Sequence, residues 1–278
     1  MPDTPQTPPA AAEIAALRAE IDAIDDAMHD LLMQRSAVVG RLAGSRAKGN
    51  GSPLRPGREA AVLRRLLARH NGPLGRDRVV RIWREIFMAS TAIQGGFSVA
   101  CYAPSAQSEE AGLAREHFGP TTPMRIHPTA ARALAAVSEG EASVAVLPLP
   151  AEGDAAETAW WARLEAPRLQ IVARLPFLPG TDGAGALVVA PVPPDASGDD
   201  RTLMLFEAET RASRASVSQA LADAGFVVPS VLLARAGEAT LALAEIEGFL
   251  SVEDVRLAAL PWMRRTILGA YAAPVAGD

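Results

Sequence analysis

Cysteine occurs once in this chain, at Cys101, lysine once, at Lys48, and histidine four times. A single thiol excludes an intrachain disulfide framework and fits a reducing cytoplasm. One cysteine and four histidines make no zinc-type ligand pattern, so no metal and no other cofactor is expected. No apolar run reaches about 18 residues without charge or proline, and no membrane span is expected. Residues 1–12, MPDTPQTPPAAA, have no basic start and no apolar stretch; they read as a disordered tail and not as a signal peptide. Positive charge is in short supply too. The net charge of -5 and a pI near 5.5 argue against nucleic acid or an anionic membrane as partner.

What is present is enough apolar material, 49% of 278 residues, for two or three small domains. Its most distinctive stretch is Glu13 to Lys48, which has no proline, no glycine before Gly40, and apolar residues at helical spacing: Ile14, Leu17, Ile21, Ile24, Met28, Leu31, Leu32, Val38, Val39 and Leu42. This pattern predicts one amphipathic helix of roughly 50 Å at ~1.5 Å per residue. Such a rod outgrows a compact domain, so its apolar stripe needs cover from another chain or from helices folded back along it. A helical dimer is the simplest arrangement.

With Lys48 the lone lysine, the total of 27 basic residues is otherwise arginine. That is a compositional habit, and only spacing makes a particular arginine informative. At ~100° per residue, Arg46 points within about 20° of Arg35, whereas Arg18 is about 100° off that face and Lys48 about 220°. Arg18 could reach the Arg35 face only from an antiparallel partner helix.

The turn cluster Gly49–Pro53 ends the rod. Pro56 and Gly57 open a second helix, from about Arg58 to Arg69, which Asn71-Gly72-Pro73 breaks. A third runs from Arg76 to Gln94, with Val79, Val80, Ile82, Trp83, Ile86 and Phe87 as its expected buried side. Three helices joined by short turns describe a protomer that pairs with a second copy to complete a bundle.

The order Leu17-Arg18, Leu31-Leu32-Met33-Gln34-Arg35, Arg46, Arg58-Glu59 and Ser90-Thr91-Ala92-Ile93-Gln94 resembles the all-helical class of chorismate mutases over residues 13–95. The resemblance implies conversion of chorismate to prephenate in phenylalanine and tyrosine biosynthesis, with no cofactor. It assigns Arg35 and Arg58 to the substrate carboxylates, Arg18 to the same pocket from the other protomer, Glu59 with Ser90 to the substrate hydroxyl, and Arg46 with Gln94 to the ether oxygen. Ser90 and Gln94, at i and i+4, share a helix face. Arg46 stands where most members of that family have lysine. Arg55 stands where some have an acidic hydroxyl contact.

From Phe97 the pattern becomes short apolar strands alternating with helices. Strands are expected at Ser98–Tyr102, Met124–Ile126, Ser143–Leu147, Leu169–Ala173 and Ala186–Ala190, and helices at Glu109–Phe118, Ala130–Ser138 and Glu157–Leu164. They describe a single α/β lobe, residues 97–190, with a mostly parallel sheet. The stretch Ala133–Pro148 resembles the first lobe of prephenate dehydratase. The Thr-Arg-Phe signature of that family is replaced by Gly183-Ala184-Gly185-Ala186-Leu187, Thr210-Arg211 is followed by Ala212, and the glycine-rich substrate turn reads Ala103–Ser108. No dehydratase activity is expected.

Residues 191–200, PVPPDASGDD, read as a linker. Residues 201–274 follow a βαββαβ plan that is ferredoxin-like and resembles ACT domains, with a second helix expected over Val252–Leu260. The motifs that bind phenylalanine in such domains are replaced by Arg214-Ala215-Ser216-Val217 and Leu233-Ala234-Arg235-Ala236, which favours a structural role in dimer assembly. The whole reads as a multi-domain chain: an all-α three-helix domain, an α/β lobe and an α+β end. The leading function is a homodimeric chorismate mutase. A bifunctional mutase/dehydratase and a non-catalytic amino-acid-sensing dimer are the alternatives.

Overall fold

The structure, a computed structural model, describes residues 9–46, 53–105, 107–154, 159–179, 183–208, 212–236 and 239–275. Packing divides the chain into two units, Met1–Pro53 with Ile93–Gly95, and Leu54–Ala92 with Gly96–Asp278.

The first unit is built on α1 (Pro9–Arg46), 38 residues long, or about 57 Å. It starts four residues inside the expected tail. Proline is suited to the first helical turn, and Ala10, Ala11 and Ala12 are strong helix formers, so composition misled there. Lys48 and residues 49–52 of the turn cluster lie outside the described residues. Along the single chain the apolar side chains of α1 meet solvent: Leu17 is 55% exposed, Ile24 52% and Leu31 64%.

In the second unit, α2 (Pro56–Ala68) and α3 (Arg76–Gln94, whose last two residues belong to the first unit) follow the expected helices closely. The start of α2 is fixed by Asp195, whose carboxylate accepts from Gly57 N at 2.9 Å and Arg58 N at 3.1 Å, a negative charge on the positive end of a helix. Residue 57 must be glycine, since a Cβ there would lie 2.0 Å from Asp195 O. Ala60 and Leu63 of α2, Phe87 of α3 and Phe177 form one small core. Arg64 then donates to Ser197 Oγ, Asp199 O and Ala273 O, each at 2.7 Å. Residues 191–199 have no helix or strand and brace α2, and Asp200, expected as the end of a linker, opens a strand.

The remaining elements are β1 (Val99–Tyr102), α4 (Glu109–Phe118), β2 (Met124–His127), α5 (Ala130–Ser138), β3 (Val144–Pro148), a 3-10 turn (Trp160–Arg163), β4 (Gln170–Leu175), β5 (Ala186–Ala190), β6 (Asp200–Ala208), α6 (Arg214–Asp223), β7 (Ser230–Ala236), β8 (Ala239–Glu247), a second 3-10 turn (Val255–Ala259) and β9 (Arg265–Ala272). The described strands form one sheet in the order β2-β1-β3-β5-β4-β9-β6-β8-β7. The mostly parallel lobe is corrected. β1 is parallel to β2 and β3, but β5 is antiparallel to both β3 and β4. Only about ten residues separate β4 from β5, too few for the helix that a parallel return needs. Of the helix expected over Glu157–Leu164, residues 157 and 158 lie outside the described residues and only the 3-10 turn Trp160–Arg163 is seen.

The order β9-β6-β8-β7 with every neighbour antiparallel is the ferredoxin-like arrangement expected of the end of the chain. Its second helix shrinks to the 3-10 turn, because Val252 and Val255 stay 81% and 85% exposed while Leu257 and Leu260 alone anchor it. The lobe and this end share the sheet through β4 and β9, which run parallel and meet at Ile171 and Gly269. Tyr271 donates to Glu245 Oε1 at 2.6 Å, and Arg174 of β4 lies 3.8 Å from the same carboxylate oxygen.

Candidate active site

The residues that sequence singles out fall in both units, so each group is described within its own. On α1, Arg18 is exposed and Arg35 half-buried. Arg46 is the last residue of α1, and its side chain lies outside the described residues. Gln94 ends α3.

In the second unit, Arg58 is exposed at the start of α2, its backbone N–H held by Asp195. Ser90 is 9% exposed and donates its hydroxyl to Ile86 O at 2.6 Å, four residues back on its own helix. Glu59 is positioned by a partner that sequence reasoning did not name. Arg84 Nη1, from α3, donates to Glu59 Oε2 at 2.8 Å, with the Arg84 side chain 7% and the Glu59 side chain 13% exposed. Dry ion pairs of this kind hold both groups in one geometry, and removing one partner strands the other's charge.

Burial pulls the Arg84 guanidinium below its ordinary pKa, and the charge and hydrogen bond of Glu59 oppose that shift. His117, on α4, is held well below its ordinary value, first by burial and then by Arg84. It stays neutral, so Arg84 and Glu59 are not joined by a second cation there. Phe177 lies against Arg84 and Arg64, its ring centroid 5.8 Å from Arg84 Cζ and 5.6 Å from Arg64 Cζ. A cavity of about 50 Å³ between Arg84, His117 and Phe177 has room for water but not for a substrate.

The sequence carried one signal for Arg84 that composition hid. Val80, Arg84, Phe87 and Thr91 recur at helical spacing, and Arg84 is 6% exposed while Ile82, expected inside, is 43% exposed. Where the lobe departs from the dehydratase signature, Gly185 N donates to Glu109 Oε1 at 3.1 Å, and a Cβ at residue 185 would lie 2.6 Å from Leu149 Cδ1. A side chain at that position has to displace Leu149.

The family model described as chorismate mutase type II matches residues 17–95. Among curated proteins the chain is similar to a bifunctional chorismate mutase/prephenate dehydratase of Stutzerimonas stutzeri, 30% identical over 134 residues that cover 46% of this chain and 34% of that protein. It is also similar to the protein of the same description from Pseudomonas aeruginosa, 32% identical over 112 residues that cover 38% of this chain and 30% of that one. The chain spans about a third of the length of these curated relatives. Among solved structures, one titled GqqA, a novel type of quorum quenching acylases, aligns over 63% of this chain and 95% of its own with a TM-score of 0.50 at 19% identity, a likeness of fold alone. No helix among the described residues is long and apolar enough to cross a membrane. Residues 17–95 are thus the part of the chain that matches the chorismate mutase type II family model, and a mixed α/β region follows them in sequence.

Proposed function

We propose that this protein is a chorismate mutase that works as a homodimer. The observation that carries the reading is the family match over residues 17–95, whose span holds all seven residues singled out from sequence. The exposed apolar side chains of α1 support the dimer: a stripe this long left in water is the mark of a surface made for a partner, and a second copy supplies a matching stripe.

The reaction is a pericyclic rearrangement in which an ether C–O bond breaks as a C–C bond forms, with no obligatory proton transfer and no covalent intermediate. The enzyme has two tasks: to hold a dianion in a compact chair-like conformer, and to place positive charge where the ether oxygen gains electrons. Arg35 and Arg58 bind the carboxylates, each able to give two parallel hydrogen bonds. Arg18 comes from the second copy. Glu59 accepts from the substrate hydroxyl, with Ser90 beside it, and Arg46 and Gln94 stabilise the ether oxygen. Arginine in place of lysine at residue 46 keeps the charge and spreads it over a plane.

The test is chorismate consumption by purified protein, with the mass of the assembly measured by light scattering. Prephenate should accumulate without phenylpyruvate, at the mass of two chains. No consumption above the uncatalysed rate would overturn the reading.

A further inference from the structure

Glu59 is the one acidic residue assigned to the substrate, and what holds it lies outside the residues that the family resemblance names. Its carboxylate is tied to a dry guanidinium on the next helix, at 2.8 Å from Oε2. The guanidinium is covered by Phe177, which lies beyond residues 17–95, has its ring centroid 5.8 Å from Arg84 Cζ and packs with Ala60 and Phe87 from the two helices. From the geometry we infer that Arg84 is a positioning residue of the mutase site, and that Phe177 seals it, so that the α/β region sets the orientation and ionisation of Glu59.

Without a cation, a carboxylate in so dry a place would take up a proton, and a protonated acid is a poorer acceptor. Among the described residues, the charged or titratable groups that line the cavities beside Arg84 or share its aromatic cover are Arg64 of α2, Asp77 and Arg81 of α3, Glu116 and His117 of α4, and Arg174 of β4. Of these, Arg81 is spent on Glu116 at 3.1 Å, Arg64 on the 197–199 turn, and Arg174 leans to Glu245. His117 is neutral.

The inference rests on the mutase reading, and one experiment separates the two: the pH profile of kcat/KM for chorismate in the wild type, Arg84→Met and Arg84→Lys. Removing the cation raises the pKa of Glu59 in the folded enzyme. Ionised Glu59 is then lost at a higher pH on acidification, so the acid limb of Arg84→Met should move up by about one unit or more. The ratio of kcat/KM at pH 5.5 to that at pH 8.5 should therefore be lower in Arg84→Met than in the wild type. Arg84→Lys should restore the wild-type limb, since lysine keeps the charge, while losing a few-fold in rate for its poorer geometry. Phe177→Leu, which opens the cover to water, should shift the limb the opposite way, toward lower pH, and by less. If Arg84→Met does not fold, Arg84→Gln, which keeps a donor without the charge, takes its place. A wild-type enzyme that turns over chorismate beside an Arg84→Met profile of unchanged shape would overturn the inference and spare the mutase reading. A wild type that does not turn over chorismate would overturn the reading itself.

Discussion

Replacing Arg35 with alanine is expected to lower kcat/KM for chorismate by about 100-fold, equivalent to about 2.7 kcal/mol of transition-state stabilisation. Arg35 is half-buried on α1, and the proposed mechanism gives it a substrate carboxylate. The bond to that carboxylate exists before and during the rearrangement, so its loss should appear chiefly as a higher KM. Gln94→Ala should behave differently. Its partner, the ether oxygen, gains negative charge only as the C–O bond breaks, so the loss should fall on kcat, by a similar factor, with KM little changed. Steady-state kinetics on the two variants separates binding from chemistry. Normal turnover in both would contradict the site assignment.

Gly269→Ala should destabilise the protein by about 3 kcal/mol or more. Gly269 sits where β9 meets β4, with φ +141, and a Cβ there would lie 2.1 Å from Ile171 O and 2.5 Å from Ile171 N. Those atoms are backbone of the neighbouring strand. No rotamer change relieves the overlap, so β4 and β9 must part, and with them the seam that makes one sheet of the lobe and the ferredoxin-like end. A fall of roughly 6–12 °C in the thermal midpoint follows for a chain of this size. Gly140→Ala is the control: φ is +79 there, but nothing lies within 4 Å of the added carbon, so only the backbone cost of about 1–2 kcal/mol applies. Equal midpoints for the two variants would show that the seam does not depend on this close approach.

How far the sequence reveals this protein follows from the range of each interaction. α3 was legible to the residue, Arg76–Gln94, because a helix repeats its pattern every ~3.6 residues and its ends carry local signals. The strand order at the end of the chain was legible through the βαββαβ plan, which admits few topologies. The antiparallel return of β5 was not, since an apolar run such as Ala186–Ala190 reads alike in either direction; only the short connection before it held the answer. Arg84 was hidden for a different reason. In a chain whose basic residues are nearly all arginine, a buried one is seen only by asking which arginine falls on an apolar stripe, and Ile82 next to it drew that stripe to the wrong face. The family order of Arg18, Arg35, Arg46, Arg58, Glu59, Ser90 and Gln94 was legible as a pattern; the ion-pair partner of Glu59 comes from residue 84, with Phe177 against that partner, beyond any local motif.

The central claim is that one pocket takes Arg35 from one copy and Arg18 from the other. It is tested by unfolding Arg18→Ala and Arg35→Ala together and refolding them as a mixture. Each variant alone should be nearly inactive toward chorismate. In the mixture about half the dimers are hybrids, in which one pocket carries both lesions and the other neither, so activity should return to about a quarter of the wild-type value. Activity in the mixture no higher than the mean of the two separate variants would contradict the claim.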